Sequence, residues 1–406
     1  MRSMLGQYMT PQRLATFVAA QMRRSDVVVD LAVGDGALLR AVGKKLRAAS
    51  LIGFDVDRSM VARSSQIDRI TVRHSNGLTA HVPKINSTQR LSAIGNPPFV
   101  GDSIDSRGWI EKVFPDVSIK KVGDRAEIQF LARALSITRA SGGRVVFVMP
   151  IGFADGDRYA QVRASLMKQF KVVRCVEVVG TPFDETEART VVLVIDPQSS
   201  ARYSTEILEF DCATGIVAPV FKGILEPGVR LDARYHRARQ AGRALSSVLL
   251  KDLEVLISRG VLSRKDAELR NVPVLHTSDL GKAVEGQLRI RSLGTPSEMQ
   301  NQVVARAGDI LLSRTGSRVC WDPVVLAAGA APITDHVFRI RAPASVREIV
   351  ENSFRHPAFV EWLRGISKGV CATVLTKREL LEMPVFAWPI GRDSPSHVIQ
   401  VPSPNF

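Results

Sequence analysis

The chain has 406 residues, more than one small core requires, and this length indicates two domains. The composition, with 45% hydrophobic and 23% charged residues, is typical of a soluble globular protein; the sequence shows no apolar run of eighteen residues and no signal peptide. The formal net charge of +15 favours a polyanionic partner such as nucleic acid over a merely solvated basic surface.

The cysteines give no sign of a metal or disulfide framework. The four of them are widely scattered and lack CxxC spacing: Cys175, Cys212, Cys320 and Cys371. The seven histidines show no ligand spacing either, so we interpret them as structural or surface residues. We therefore expect no metal, no disulfides, no membrane contact and a cytoplasmic location.

The first half of the chain alternates between helix and strand signals. Thr10-Pro11 is typical of a helix start, and a longer helix is predicted at Ala126–Thr138. Buried-strand patterns occupy residues 27–31, 51–55, 70–72, 144–150, 172–179 and 190–195, and a further one runs into Asn96. Strands separated by helices predict an α/β fold with a doubly wound, mostly parallel sheet.

The pattern changes near residue 200. We predict a first domain at 1–200, a connector with a last edge strand at 201–247, a second domain at 248–390 and a tail at 391–406. In the second domain, short β-like runs are broken by glycine and proline, and two helices follow near 346–354 and 357–363. This mixture predicts an α+β domain.

The stretch Asn96-Pro97-Pro98-Phe99 is the most informative in the chain. Proline cannot donate to a sheet and fixes its own φ angle, so the two prolines end the strand and stiffen the loop. The loop offers an amide, a carbonyl and an aromatic ring, which suit a planar ring that bears an exocyclic amine.

Two upstream features are typical of a nucleoside site. Gly34 and Gly36 lie where a strand passes into a helix, and Asp55 closes the next strand, where an acid can bind a ribose diol. The alternatives are a tight turn for the glycines and a helix cap for Asp55. The dinucleotide motif GxGxxG is absent, because Leu39 stands where its third glycine would be.

In their order, Asp30-x-x-x-Gly34-x-Gly36, Asp55, Asn76 and Asn96-Pro97-Pro98-Phe99 resemble the motifs of gamma-class S-adenosylmethionine-dependent DNA amino-methyltransferases, which have a Rossmann-like fold. The resemblance covers about residues 5–196, and 6–11 are similar to the family's N-terminal cofactor motif. It implies S-adenosylmethionine as methyl donor and these cofactor-binding residues: Tyr8, Thr10, Asp30, Ala32, Gly34, Gly36, Asp55, Asn76 and Asn96. The family usually has aspartate where Asn76 stands, which implies an altered grip on the cofactor.

The resemblance also implies a catalytic set, Asn96, Pro97, Pro98, Phe99 and Phe183. The Asn96 side-chain oxygen and the Pro97 carbonyl would accept the two N–H groups of an adenine amine, and Phe99 would stack on the flipped base. Phe183 resembles the aromatic residue that closes over the other face, with an ordinary core phenylalanine as the alternative. No cysteine follows a proline, which argues against a cytosine-C5 enzyme, and asparagine at 96 favours adenine over cytosine-N4.

Residues 250–386 resemble one target-recognition domain of restriction–modification specificity subunits. The motifs at 272–280, 307–316, 332–336 and 368–370 carry this resemblance. It implies that a monomer reads one asymmetric site in double-stranded DNA, with Arg314, Arg318 and Lys368 as candidate DNA contacts; a solvated surface charge is the alternative for each.

The leading hypothesis is therefore an adenine-N6 DNA methyltransferase of the restriction–modification type, with a cognate restriction endonuclease as a candidate partner. Two alternatives stay open. The same catalytic domain could modify RNA or a protein glutamine, since Asn-Pro-Pro-aromatic motifs occur in those enzymes too. The chain could also be an inactive DNA-binding or assembly protein, which Asn76 leaves open.

Overall fold

The computed structural model describes residues 9–99, 108–180, 189–198, 203–294, 300–316, 322–367 and 373–386. The chain divides into two units, Met1–His236 and Arg237–Phe406.

Among the described residues of the first unit, nine strands form one mixed sheet in the order β3-β2-β1-β4-β5-β7-β6-β8-β9. The strands are β1 Val27–Asp30, β2 Ser50–Asp55, β3 Ile70–His74, β4 Leu91–Gly95, β5 Val145–Pro150, β6 Lys171–Val179, β7 Thr190–Asp196, β8 Thr205–Asp211 and β9 Val217–Gly223. Neighbours from β3 to β5 are parallel, β6 pairs parallel with β8, and β7 and β9 run antiparallel to their neighbours. The expected mostly parallel sheet is confirmed.

Helices cover both faces of this sheet. They are α1 Gln12–Ala20, α2 Ala37–Lys45, α3 Arg58–Ser64, α4 Trp109–Val113, α5 Ile119–Val122, α6 Ala126–Thr138, α7 Ile151–Asp155 and α8 Ala160–Gln169. A further helix, α9 Ala233–Leu245, begins in the first unit and continues into the second. The central strands are buried on both sides because alternate residues join different cores: Val29 and Phe147 pack with α4 to α8, whereas Val28 and Val146 pack with α1 and α2. This is the doubly wound arrangement that the sequence predicted.

The sheet continues past residue 200, where the sequence predicted that the first domain ends. Residues 205–223 form the hairpin of β8 and β9, and β8 pairs along β6. The stretch predicted to hold a connector and a last edge strand therefore contributes two strands to the sheet. Its irregular polar pattern reflects an edge position, where one strand face stays half exposed.

In the second unit, the described residues form a five-stranded sheet in the order β10-β17-β13-β15-β11 and two short ladders, β12 with β16 and β14 with β18. Its strands are β10 Leu256–Arg259, β11 Gln287–Arg289, β12 Val304–Arg306, β13 Ile310–Ser313, β14 Thr315–Gly316, β15 Val324–Ala328, β16 Ala330–Pro332, β17 Val337–Arg341 and β18 Thr373–Val374. Its helices are α10 Arg264–Leu269, α11 Thr277–Leu280, α12 Arg347–Arg355, α13 Pro357–Ile366 and α14 Lys377–Leu381. The α+β prediction is confirmed for this unit.

The parallel direction of β1 to β4 decides where a ligand would meet the first unit. The carboxyl ends of these strands lie at the same edge of the sheet, which in such sheets is the edge where ligands bind. Across the described ranges, no helix is long and apolar enough to cross a membrane.

Candidate active site

The loop after β4 places Asn96 at the carboxyl edge of the sheet. Asn96 is half-buried and Pro97 is buried, while Pro98 and Phe99 are half-buried. The Phe99 ring packs against the core that faces α1 and α2. The central position of β4, between β1 and β5, brings this loop beside the turn that follows β1.

Asn96 is oriented by Thr10. Its Nδ2 atom donates a hydrogen bond to the Thr10 hydroxyl at 3.1 Å, and Thr10 is itself buried just before α1. An asparagine held through Nδ2 turns its Oδ1 atom to the other side, which is the orientation that an acceptor for an amine needs. The structure thus brings together two predicted residues that are 86 positions apart in the chain.

The glycine turn after β1 has the backbone that its sequence predicted. Gly34 and Gly36 have φ angles of 54° and 80°, a left-handed conformation that favours glycine, and α2 begins directly after Gly36. A Cβ atom at Gly36 would lie 2.6 Å from the Ile67 side chain. Glycine at position 36 therefore lets the turn pack directly against the residues at the end of α3 and just after it.

Asp55, at the end of β2, holds this turn in place. Its Oδ2 atom accepts a hydrogen bond from the Gly34 amide at 2.8 Å, and its Oδ1 atom accepts one from the Asp57 amide at 2.9 Å. Burial raises the pKa of the Asp55 carboxyl, while these two amides oppose the rise. The sequence predicted a ribose contact for Asp55, and its link to Gly34 is a further role.

Asp30, the last residue of β1, is almost fully buried at the same edge. Its Oδ1 atom accepts a hydrogen bond from the Ala32 amide at 3.0 Å. Burial, with smaller contributions from the charges of Asp55 and Asp35, raises the pKa of Asp30 to about 7. The carboxyl group can therefore gain or lose a proton near neutral pH, and a nearby positive charge would favour its ionised form.

Asn76 lies in the turn that follows β3. Its Oδ1 atom accepts a hydrogen bond from the Leu78 amide at 2.9 Å, while the Ser75 amide donates to the Asp55 carbonyl at 2.9 Å. Since a backbone amide can only donate, this contact assigns Oδ1 to Leu78 and leaves Nδ2, a donor, as the other end of the side chain. A donor cannot accept a hydrogen bond from the amine of an adenine ring, as an aspartate oxygen would.

Four predicted site residues lie outside the described part of the chain: Tyr8, Phe183, Arg318 and Lys368. Their assigned roles stay predictions. In the ranges that the structure describes, no group of three or more His, Cys, Asp or Glu side chains could hold a metal ion.

In the second unit, three motifs that the sequence singled out converge. The His276 Nδ1 atom lies 2.9 Å from the Thr334 hydroxyl, and His336 Nδ1 is hydrogen bonded to the Thr315 hydroxyl. The two imidazole rings pack edge to face with centroids 5.7 Å apart. Arg314 is half-buried and donates from its side chain to the Asp335 carbonyl at 3.3 Å, so it also stabilises this cluster.

Sequence reasoning missed two residues that support the turn of Asn76. The Trp109 indole donates to the Leu78 carbonyl at 2.8 Å, and the buried Arg133 side chain donates to the Leu78 and Ala80 carbonyls. Nothing in the local pattern marks either residue, because both contacts join positions distant in the chain. The turn itself does have a local signal. Asn76-Gly77 is an Asn-Gly dipeptide that follows a strand, and such a dipeptide marks a tight turn.

The sequence matches no curated protein. Solved structures similar to the chain include a type I restriction-modification system methyltransferase subunit from Streptococcus thermophilus, with TM-score 0.41, 16% identity, and coverage of 50% of this chain and 47% of that chain. A protein described as a class I S-adenosylmethionine-dependent methyltransferase from Listeria monocytogenes has TM-score 0.42, 18% identity and coverages of 50% and 65%.

The type IIG restriction endonuclease BpuSI has TM-score 0.49, 12% identity and coverages of 93% of this chain and 58% of its own. The chain thus spans between 47% and 65% of the length of these three solved chains. A family model for N-6 DNA methylase matches residues 2–217, more than half of the chain, and the chain therefore belongs to the N-6 DNA methylase family.

Proposed function

We propose that this chain is a site-specific DNA methyltransferase that modifies the exocyclic N6 amine of an adenine flipped out of duplex DNA. The observation that carries the proposal is the orientation of Asn96. Thr10 holds its Nδ2 atom, so Oδ1 is the end of the amide that can accept from an amine. Membership of the N-6 DNA methylase family supports adenine as the target.

The residues at the carboxyl edge of β1 to β3 fit S-adenosylmethionine. The glycine turn at 34–36 lets a ligand approach the backbone closely, and the buried carboxyls of Asp30 and Asp55 lie beside it. S-adenosylmethionine carries a sulfonium cation, an ammonium group and a ribose diol. A carboxyl group attracts the two cations and accepts hydrogen bonds from the ammonium and the diol. We assign Asp30, Ala32, Gly34, Gly36, Asp55 and Asn76 to its binding, together with Tyr8, Thr10 and Asn96.

When bound, S-adenosylmethionine supplies an activated methyl group. The adenine amine is a poor nucleophile, because its lone pair is delocalised into the ring. Asn96 Oδ1 and the Pro97 carbonyl would accept its two N–H groups, which favours a tetrahedral nitrogen with a directed lone pair. In the transfer that these residues would support, the amine nitrogen would take the methyl group, S-adenosylhomocysteine would leave, and the amine would release one proton to solvent. Orientation and electrostatics supply most of the rate enhancement.

Recognition of the DNA sequence is assigned to the second unit. The net charge of +15 supports a polyanion as substrate. We propose that the protein acts as a monomer, with its motifs in the gamma-class order, and that it binds one asymmetric site in double-stranded DNA through Arg314, Arg318 and Lys368 of this unit. The candidate partner of such a methyltransferase is a cognate restriction endonuclease.

The test is transfer of tritiated methyl from S-adenosylmethionine to mixed duplex DNA, followed by sequencing for N6-methyladenine. Asn96→Ala should reduce the rate about a hundredfold to a thousandfold, as loss of a key transition-state contact does, and weaken S-adenosylhomocysteine binding far less, because eight other residues are assigned to the cofactor. Asn86→Ala, in an exposed turn of the same unit, is the control and should stay active. Full activity of Asn96→Ala would contradict the catalytic assignment.

Parallel reactions with RNA and with protein separate the alternatives. Under the proposal, label enters DNA alone, and DNA affinity falls steeply as salt rises from about 50 to about 200 mM because phosphate contacts release counterions. Incorporation into RNA or glutamine instead of DNA would overturn the substrate. DNA binding without methyl transfer at any sequence would favour an assembly protein.

A further inference from the structure

The turn after β3 is built tightly onto the cofactor edge of the sheet. Within the turn, the Asn76 Oδ1 atom accepts from the Leu78 amide, and the Asn76 carbonyl accepts from the amides of Thr79 and Ala80 at 3.0 and 2.8 Å. A Cβ atom at Gly77 would lie 1.7 Å from the Leu31 carbonyl oxygen. The turn thus rests directly on the end of β1, one residue beyond Asp30.

Side chains from α4 and α6 donate hydrogen bonds to the same turn. Trp109 Nε1 donates to the Leu78 carbonyl at 2.8 Å, and Arg133 donates to the carbonyls of Leu78 and Ala80. The Arg133 guanidinium lies 5.1 Å from the centroid of the Trp109 ring, and Lys112 Nζ lies 4.7 Å from it. These cation–π contacts hold the indole in the position from which it donates.

Leu78 therefore makes hydrogen bonds through both of its backbone polar groups. Its N–H, in the peptide group shared with Gly77, donates to Asn76 Oδ1, and its carbonyl, in the next peptide group, accepts from Trp109. A shift of the indole thus reaches the Asn76 side chain through the backbone of one residue. Trp109 opens α4 at the far end of the segment that follows the catalytic motif, and the Ile110 amide donates to Gln129 of α6 at 3.1 Å. The arrangement joins α4 and α6 to the turn that faces the proposed cofactor site.

We propose that Trp109 is a positioning residue that fixes the cofactor-facing turn of Asn76 to helices α4 and α6, so that cofactor binding also stabilises the start of α4. This inference rests on the proposed function, since it takes the carboxyl edge of β1 to β3 as the cofactor site. Trp109 touches neither cofactor nor base in this assignment and acts through the backbone of the turn, directly at Leu78 and through its contact with Arg133.

The first experiment uses the full, unsubstituted chain and S-adenosylhomocysteine as probe. Hydrogen–deuterium exchange read by mass spectrometry should show slower exchange with the ligand in peptides covering 76–80 and also in those covering 109–113. Protection at 76–80 with unchanged exchange at 109–113 would overturn the coupling while leaving the cofactor site intact. Absence of any binding would contradict the proposed function itself, so the two failures are distinguishable.

The second experiment replaces the indole N–H. In Trp109→Phe the ring is kept and one hydrogen bond is lost, so S-adenosylhomocysteine should bind about threefold to tenfold more weakly by calorimetry. The KM for S-adenosylmethionine should rise by the same factor, while kcat at saturating cofactor changes less than about twofold, because the catalytic loop is not altered.

Two further variants sharpen the result. Arg133→Lys keeps the positive charge but replaces two terminal nitrogen donors by one nitrogen on a shorter side chain, and should weaken binding in the same direction. Trp362→Phe removes a buried indole from the second unit and should leave S-adenosylhomocysteine affinity unchanged. Unchanged affinity in a folded Trp109→Phe variant, or an equal loss in Trp362→Phe, would contradict the assignment.

Discussion

The carboxyl group of Asp55 ties together the loops that follow β1 and β2, because its Oδ2 atom accepts a hydrogen bond from the Gly34 amide at 2.8 Å. Its Oδ1 atom accepts from the Asp57 amide at 2.9 Å. Both oxygens therefore bind backbone N–H groups. The conformation of the glycine turn, which a cofactor would meet, depends on a side chain with two acceptor atoms.

Asp55→Asn should disturb this link while preserving the shape of the side chain. An amide has one acceptor oxygen, so one of the two backbone donors would face an NH₂ group and lose its partner. We expect the free energy of unfolding to fall by about 1–3 kcal/mol and S-adenosylhomocysteine affinity to fall about tenfold or more. Urea unfolding and calorimetry measure the two effects.

Asp57→Asn is the matched control for this change. Asp57 is the N-cap of α3, where asparagine is an equally good cap, and its own backbone amide still donates to Asp55. Its affinity should match that of the unsubstituted chain. If Asp55→Asn also bound normally, Asp55 would not determine the conformation of the turn.

Thr10→Val removes the hydroxyl that accepts from Asn96 Nδ2. The change leaves a similar volume but allows the Asn96 amide to rotate, so a fraction of molecules would present Nδ2 to the target amine. We expect kcat to fall about tenfold, which corresponds to about 1.4 kcal/mol, with a smaller effect on S-adenosylhomocysteine affinity. Thr16→Val, on the exposed side of α1, should leave kcat unchanged; equal rates for the two variants would contradict the role of Thr10.

Asn76→Asp should strengthen the cofactor site. An aspartate can still accept from the Leu78 amide with one oxygen, and its second oxygen can accept from the adenine amine, where Asn76 has a donor. We expect S-adenosylhomocysteine to bind about threefold to tenfold more tightly in calorimetric titrations. S-inosylhomocysteine, which lacks the amine, should gain nothing, and an equal gain for both ligands would argue against this contact.

The pKa of Asp30 makes the stability of the chain depend on pH in a definite direction. Burial raises this pKa from 3.8 to about 7, so the folded chain holds a proton that the unfolded chain releases between these values. The stabilisation is therefore fully present below about pH 4 and is lost as pH rises through about 7.

Asp30→Asn carries no titrating proton and resembles the protonated acid, since its oxygen can still accept from the Ala32 amide. Relative to the unsubstituted chain, its free energy of unfolding should increase by about 1–3 kcal/mol between about pH 5 and about pH 7, and should stay level above that. Urea unfolding at each pH measures the difference. A difference independent of pH would show that Asp30 titrates alike in both states.

The sequence predicted most strands of the first unit, because buried parallel strands read as apolar runs whose ends carry polar or proline residues. It also predicted helix α6 at its observed bounds. In the second unit the pattern was weaker: the short apolar run at 273–275 forms no strand, and its Leu275 makes an isolated bridge with Ile333. Prolines and glycines there interrupt the ladders, so tertiary contacts decide which short runs pair.

For the site, the sequence by itself determined which residues reach the carboxyl edge. Asp30, Asp55, Asn76 and Asn96 each end or follow a strand of one parallel sheet, and side-chain period and strand direction place them there. Only the tertiary structure decided how those side chains are used. The contacts of Asp55 with Gly34, Thr10 with Asn96 and Trp109 with Leu78 join distant positions, and hydrogen-bond geometry depends on distances that no local pattern encodes.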